Sequence, residues 1–470
     1  MPSLGIFEKK SSFLLAIALA FLLISAVHFM RVRAGSPAIP GSEPYSEMEL
    51  ARAAAGNSSW VSWPNISPLV GLLSFLSGFI GLELSARAVS LILGLISLVL
   101  FYLVMGTLGV TYDKRVIAGL VLVLSPAYIF FYSGPYEAGL ILPIILLSAY
   151  LFSLKHAAAK ITAILLLLFT AMVSILNLML VLVMAVWWVA SRVKKSWFTL
   201  PAGLAYVALL FIYISRLVVA YPMKNPISTL LFDLGHGSGL GTFAVILCAV
   251  GMLALWRKRD EFSLFYLVLP FFLLTLFFSD MGNLYLAFII AFFAAHGLGL
   301  FIDMKWEISA LKGLTILILV CGLLFSSLSA VKVNLQAMPD SGLVTALSWV
   351  KENSKAGGQV LSSEENGFWI RYFGERPAVL DSHISPFLEP GLLNGTSAIF
   401  YSRNLEKTRE LLKRYEVSTI MIDQQMRQGA IWTRDDEGLL FLFRNNETFK
   451  RDFATPEIEI WSVRLSEGNG

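Results

Sequence analysis

Charge is what this sequence has least of. Only 14% of its 470 residues are Asp, Glu, Lys or Arg, and 57% are hydrophobic, whereas a soluble domain carries roughly a quarter of charged residues. That shortage excludes an entirely water-soluble protein and puts most of the chain in lipid. Cysteine is nearly missing as well. Cys248 and Cys321 both lie inside apolar runs, which excludes a disulfide framework and a thiolate metal site. The net charge of +4 is small for this length, and the basic residues sit mostly between apolar runs, which argues membrane topology and against nucleic acid as a partner. Serine-nucleophile, phosphate-loop, dinucleotide and zinc-helix motifs are absent too.

What is present is a succession of apolar runs. A membrane-spanning helix needs about 20 such residues, and on that rule eleven spans are expected, at about 12–30, 86–109, 116–133, 137–154, 161–176, 178–191, 198–215, 239–256, 262–279, 284–302 and 311–330. The first follows Lys9 and Lys10 without a small-residue cleavage site, so it reads as a retained anchor. The apolar stretch around Asn177 reads as two short helices. That choice gathers Lys114, Arg115, Lys155, Lys160, Arg192, Lys194, Lys195, Arg257, Lys258 and Arg259 on one side. Because cytoplasmic loops are enriched in Lys and Arg, the expectation is a multi-pass cell-membrane protein with its N-terminus inside and its C-terminus outside. The acceptor pattern Asn-x-Ser/Thr at Asn57, Asn65, Asn394 and Asn446 falls on the outer side of this threading.

The short apolar stretch 67–82, preceded by Trp60 and Trp63, is expected to lie in the outer interface, where amphipathic aromatics gather. Residues 31–85 then form one long outer loop. From about residue 331 charges become frequent and apolar runs shorten. Helices are expected at 343–353 and 405–415 and strands at 359–362, 378–380, 418–422, 439–443 and 457–463. The predicted fold class is an α-helical polytopic membrane protein of about eleven transmembrane helices (1–330) with a C-terminal extracytoplasmic α/β domain (331–470).

Three polar groups would come together on the outer side. The first is the cluster Glu43, Glu47 and Glu49, where a helix starting near Pro44 would bring Glu43 and Glu47 near one face. A carboxylate at the lipid boundary can take a proton from an acceptor, while acids at a helix start also favour its N-terminal dipole with no further role. The second is Glu137, at the junction between the third and fourth spans, with the same two readings. The third is the loop holding Arg216, Lys224, Asp233 and His236. Arg216 and Lys224 suit a lipid phosphate, Asp233 or His236 a metal or an acceptor; snorkelling and plain loop polarity are the alternatives. A divalent cation, magnesium or manganese, would find oxygen ligands in Glu43, Glu137 and Asp233. His296, alone on an apolar helix, reads as a packing residue.

These residues carry a resemblance. The segment Glu43-Pro44-Tyr45-Ser46-Glu47-Met48-Glu49-Leu50-Ala51-Arg52 is similar to the first-loop pattern of aminoarabinose and mannosyl transferases, an acid, then Pro or Arg, Tyr and Ala-Glu-Ile-Ala-Arg. Residues 64–87, with Pro68, Gly81, Glu83 and Arg87, and the stretch from Ser125-Pro126 through Ser133 to Glu137, resemble further parts of the same GT-C type of membrane glycosyltransferase. In the tail, Trp349, residues 359–362, Gly367, Trp369, Arg376 and Asp381 resemble the soluble domain of archaeal oligosaccharyltransferase catalytic subunits. Two departures stand out. Ser42-Glu43 replaces the Asp-Glu or Asp of many relatives, and Ser363-Glu364-Glu365-Asn366-Gly367 stands where those subunits carry Trp-Trp-Asp-Tyr-Gly to read the sequon.

The resemblance implies transfer of a sugar from a polyprenyl, dolichyl-type phosphate carrier to a glycan, lipid or protein acceptor on the outer face. Glu43 would be the general base and Glu137 the second acid. Tyr45, Glu47, Arg216, Lys224, Asp233 and His236 would bind substrate. A subunit of protein N-glycosylation ranks below this general transferase, because the sequon-reading residues are missing. A transporter of lipid-linked sugar ranks lower still, since the chain has no convincing repeat and almost no mid-span charge.

Overall fold

The computed structural model describes residues 11–55, 67–192, 199–220, 225–234, 237–355, 357–382 and 390–464. The first fifteen helices in chain order are α1 (Ser11–Arg33), α2 (Glu43–Ala55), α3 (Pro68–Ile80), α4 (Leu82–Thr107), α5 (Tyr112–Val123), α6 (Pro126–Tyr132), α7 (Glu137–Ser153), α8 (Ala157–Val173), α9 (Ile175–Arg192), α10 (Thr199–Ala220), α11 (Pro226–Leu230), α12 (Thr242–Leu255), α13 (Ser263–Thr275), α14 (Gly282–Asp303) and α15 (Ser309–Gln336). Five more follow in the tail: α16 (Ser341–Asn353), α17 (Gly367–Gly374), α18 (Pro390–Tyr401), α19 (Leu405–Arg414) and α20 (Gly438–Leu442). The described strands are β1 (Gln359–Leu361), β2 (Val417–Asp423), β3 (Phe449–Ala454) and β4 (Ile458–Val463). The chain divides into two compact units. A helical unit comprises Met1–Met30, Ser67–Leu69 and Glu83–Leu335, and a second unit comprises Arg31–Ile66, Val70–Leu82 and Gln336–Gly470.

Every expected apolar span corresponds to helix. By length and composition, α1, α4, α14 and α15 can each cross a membrane unaided, and the bent pair α5–α6 would make a fifth; α7, α8 and α13 are shorter apolar helices. Outward-facing apolar side chains such as Met172, 87% exposed, and Phe211, 73% exposed, suit contact with acyl chains rather than water. At the centre lies α14, buried from Gly282 to Gly299. Its small residues let α12 approach closely, as at helix contacts in membranes. A Cβ at Gly251 of α12 would stand 1.8 Å from the Phe293 carbonyl oxygen, and one at Gly297 of α14 would stand 2.2 Å from that of Leu247.

Two breaks qualify the expected threading. The third span is not continuous but turns by 64° between α5 and α6. Pro126 opens α6, and Ser125 before it is extended (φ −72°, ψ 127°), because the proline ring disfavours helical geometry in its predecessor. The pair around Asn177 is indeed two helices. The break falls at extended Ser174 (φ −149°, ψ 157°), whose Oγ accepts from the Asn177 N–H at 3.3 Å, a cap-like contact at the start of α9. His296 is a packing residue, buried beside Phe262 and Phe292, its Nδ1 2.9 Å from the Phe292 carbonyl oxygen.

In the second unit the sheet order is β1-β2-β4-β3, with β1 parallel to β2 and the other pairs antiparallel. β2 is buried along nearly its whole length, as a central strand covered on both faces should be. The strands expected at 359–362, 418–422 and 457–463 and the helices at 343–353 and 405–415 are present; 378–380 contributes only a bridge from Ala378 to Val360. The expected strand 439–443 is instead α20. Leu439-Leu440-Phe441-Leu442-Phe443 is apolar at every position, and so short a run does not distinguish strand from helix. Gly438 precedes it at φ +49°, where a Cβ would meet the Phe400 carbonyl oxygen at 2.0 Å, so no side chain is tolerated there. Helices α17 and α18 and strand β3 were not expected.

Of the four sequons, Asn57 and Asn65 lie outside the described residues, as do Trp60 and Trp63. Asn394 sits within α18, where Thr396 Oγ1 donates back to the Leu392 carbonyl oxygen at 3.0 Å. Asn446 is exposed, on a turn in which Asn445 Oδ1 accepts from the Glu447 and Thr448 N–H groups.

Candidate functional site

The acidic segment after the first span forms α2, which opens on Glu43 with Pro44 next, as fits a proline whose missing N–H falls among the unpaired first donors of the helix. The segment leading into it is fixed within its own unit. Arg31 Nε donates to the Pro37 carbonyl oxygen at 2.7 Å, Nη1 to that of Ala337 at 2.6 Å and Nη2 to that of Pro339 at 2.7 Å. Beside it the Gly41 N–H reaches the Met338 carbonyl oxygen at 2.8 Å, and Trp369 Nε1 donates to the Gly41 carbonyl oxygen at 3.1 Å.

Helix α2 packs on α17 through Tyr45, Glu49 and Arg52, and Met48 falls on the same face by the i, i+3, i+4, i+7 spacing. Met48 is fully buried and Tyr45 is 2% exposed. The Tyr45 ring meets Tyr372 and Phe373 at 5.0 Å each, and its hydroxyl donates to the Ile39 carbonyl oxygen at 3.0 Å. Arg52 lies 4.2 Å over the Tyr372 ring and donates to the Tyr372 carbonyl oxygen at 3.1 Å. Its Nη1 is also 3.6 Å from Glu375, which Lys351 pairs with at 2.7 Å.

The central contact is ionic. Arg371 places Nε 3.0 Å from Glu49 Oε2, as an ion pair without a well-directed hydrogen bond, and Nη1 3.0 Å from Asp381 Oδ2. Its guanidinium also lies 5.0 Å from the Phe368 ring centroid. Burial raises the Glu49 carboxyl above its ordinary value, and the Arg371 charge pulls it only part of the way back. The end of α17 that meets Asp381 is equally tight. A Cβ at Gly367 would stand 2.2 Å from the Leu380 carbonyl oxygen, so this glycine has a packing reason. Asn366 before it donates to Asp423 at 2.6 Å and Ser362 at 2.9 Å.

With about 100° of rotation per residue in an α-helix, Glu43 and Glu47 stand on the side of α2 opposite its α17-packed face. Both are half-buried. The structure thus brings Glu43, Tyr45 and Glu47 onto one short helix and gives Tyr45 a packing role. Glu137 begins α7 in the helical unit. Arg216 belongs to α10, and Lys224 and His236 lie outside the described residues.

Asp233, on the turn Phe232–Leu234, accepts from the Thr242 N–H at 2.8 Å and from Ser326 Oγ at 3.3 Å. It therefore satisfies the start of α12 with one oxygen and a hydroxyl with the other. Among the described residues, no three His, Cys, Asp or Glu side chains are grouped to hold a metal. Of the oxygen ligands expected for a divalent cation, Asp233 has both its oxygens engaged in this way. Sequence reasoning missed Arg371. Its signal was a lone cation in the otherwise uncharged stretch Gly367–Gly374.

No family model matches the chain, and no curated protein matches it in sequence. Solved structures do match in fold. An oligosaccharyltransferase, AglB, from Archaeoglobus fulgidus in complex with an inhibitory peptide and a dolichol-phosphate aligns over 98% of this chain and 74% of its own, at TM-score 0.64 and 12% identity. The oligosaccharyltransferase of that organism in complex with Zn and sulfate aligns over 93% and 71%, at 0.63 and 12%. ArnT from Cupriavidus metallidurans bound to undecaprenyl phosphate aligns over 97% of this chain and 98% of its own, at 0.53 and 8%. The chain has the GT-C fold. This is the polytopic membrane architecture with a C-terminal globular domain expected above; at these identities the likeness extends to the fold alone.

Proposed function

We propose that this protein is a membrane glycosyltransferase that moves a sugar from a polyprenyl phosphate carrier to an acceptor at the outer face of the membrane. The observation that carries this reading is the alignment of nearly the whole chain with two transferases of different kinds, each solved with a polyprenyl phosphate bound. In the reaction, an acceptor hydroxyl or amide attacks the anomeric carbon, its bond to the phosphate oxygen breaks, and the lipid phosphate leaves with the electron pair. Glu43, at the first turn of α2, takes the acceptor's proton as general base. Glu137 orients the acceptor, and Arg216 and Lys224 offset the charge growing on the departing phosphate.

Proteoliposomes of the purified protein, supplied with radiolabelled polyprenyl-phosphate sugar and pooled cell-envelope acceptors, test it. The expected result is label in a new acceptor. Label that only crosses the bilayer on intact lipid would establish a transporter instead. Label passed to an Asn-x-Thr peptide in preference to glycans and lipids would move the reading to protein N-glycosylation, although Ser363–Gly367 departs from the sequon-reading pattern of those enzymes.

A further inference from the structure

The geometry points to Arg371 as a positioning residue for the acidic helix: by bridging Glu49 and Asp381 it sets the rotation of α2 about its own axis and so the direction in which Glu43 and Glu47 point. The inference rests on the proposed function for what that direction is worth, and on the second unit alone for how it is set. Three observations carry it. The α17-packed face of α2 is made of Tyr45, Met48, Glu49 and Arg52, and Glu43 and Glu47 fall on the other side by helical periodicity.

The second observation concerns direction. Tyr45 and Met48 contribute burial, with Tyr45 also bonded through its hydroxyl to Ile39, and Arg371 adds charge on both sides. Its Nη1 lies 3.0 Å from Asp381 and its Nε 3.0 Å from Glu49, the latter an ionic contact rather than a directed hydrogen bond, so rotation of α2 is limited by the cost of carrying Glu49 away from the guanidinium. A lysine, with its single ammonium, cannot hold both in that geometry. The third observation is how the bridge is anchored. Asp381 adjoins Leu380, whose carbonyl oxygen leaves no room for a Cβ at Gly367, so the far carboxylate is tied to the start of α17 and α2 turns against a fixed post. Arg52, stacked on Tyr372, holds the last turn of α2 in the same register.

The test compares Arg371→Gln, Arg371→Lys and Asp381→Asn with the wild-type full chain in proteoliposomes. It reads amide hydrogen exchange along 43–55 and the kinetics of transfer from a radiolabelled polyprenyl-phosphate sugar. Arg371→Gln should speed exchange across α2 by at least about tenfold while β2 and β4 keep wild-type protection. It should also lower kcat by roughly 10- to 100-fold with the donor KM unchanged, since a displaced base weakens the chemical step rather than donor binding. Arg371→Lys should recover part of kcat and Asp381→Asn should fall between. Unchanged exchange in α2, or a kcat equal to wild type, would overturn the inference. If Arg371→Gln loses protection throughout the sheet, Asp381→Asn decides, because it removes one end of the bridge and leaves Glu49 paired. A wild-type protein without transfer activity would defeat the functional reading, and the exchange data would still decide whether Arg371 fixes α2.

Discussion

In the helical unit, several buried hydroxyls are bonded to neutral partners. Ser97 Oγ and the Tyr132 hydroxyl are 2.6 Å apart, Tyr128 donates to the Gly94 carbonyl oxygen at 2.7 Å, and Tyr285 donates to Asn177 Oδ1 at 2.9 Å. One ion pair in it is the i, i+4 contact of Arg87 with Glu83. The second unit uses charge instead, through Arg371 between Glu49 and Asp381, Arg52 and Lys351 on Glu375, and Arg427 on Glu459 and Asp435. Where the surroundings are hydrocarbon, an ion pair has no water to offset an imperfect geometry. A hydroxyl bonded to a carbonyl is satisfied at small desolvation cost. In the second unit the partly exposed pairs keep part of their hydration, and their charge can hold elements together.

The contrast can be broken most forcefully at the α12–α14 crossing. Gly251→Val should prevent folding of the helical unit, with a destabilisation above about 4 kcal/mol, because the new carbon collides with backbone that cannot yield. Gly313→Ala on α15, where a Cβ meets nothing within 4 Å, should leave thermal unfolding in detergent unchanged or slightly raised. Next comes the bridge. Arg371→Gln takes the guanidinium away from Glu49 and Asp381 and should destabilise the second unit by about 1–2 kcal/mol in chemical denaturation, whereas Glu49→Gln should cost less, about 0.5 kcal/mol, because it also removes a charge that burial disfavours.

These two variants differ in their pH response as well. The folded state holds the Glu49 proton more tightly than the unfolded chain does, so this residue's contribution is complete below the ordinary Glu value and fades as pH rises through its raised value. Glu49→Gln should therefore flatten the decline in stability across mildly acidic pH, read as the midpoint of urea unfolding. Smaller than the effect of Arg371→Gln is that of Tyr285→Phe, which leaves Asn177 Oδ1 without its tyrosine donor and should cost about 0.6–1 kcal/mol, as such bonds do between membrane helices. Arg52→Ala, at a half-exposed stacked pair, should cost about 0.5 kcal/mol.

Much of the helical unit was legible because lipid imposes a single rule, a run of apolar residues long enough to cross, and each expected span is helix. Its break at Ser125 was written in the sequence as Ser-Pro, but apolar run length is blind to a bend. The second unit was harder. Its strands at 359–361 and 417–423 showed themselves as apolar runs of strand length, while α20 was mistaken for a strand because an all-apolar run of five has no period. Of the candidate site, the helix carrying Glu43 and its opening at Pro44 could be read from local spacing. Its partner could not, since Arg371 lies more than 300 residues away in the chain and nothing local to either segment announces the pairing. Asp233 looked like a ligand by residue type alone, and the structure gives both its oxygens to Thr242 and Ser326.

The most direct test of the account is transfer by a folded Glu43→Gln protein, measured in a single turnover with radiolabelled polyprenyl-phosphate sugar alongside its binding of the unglycosylated polyprenyl phosphate. Loss of a general base predicts a rate lower by roughly 100-fold or more with lipid binding intact. A rate within a few-fold of wild type would contradict the account and take Glu43 out of the chemistry.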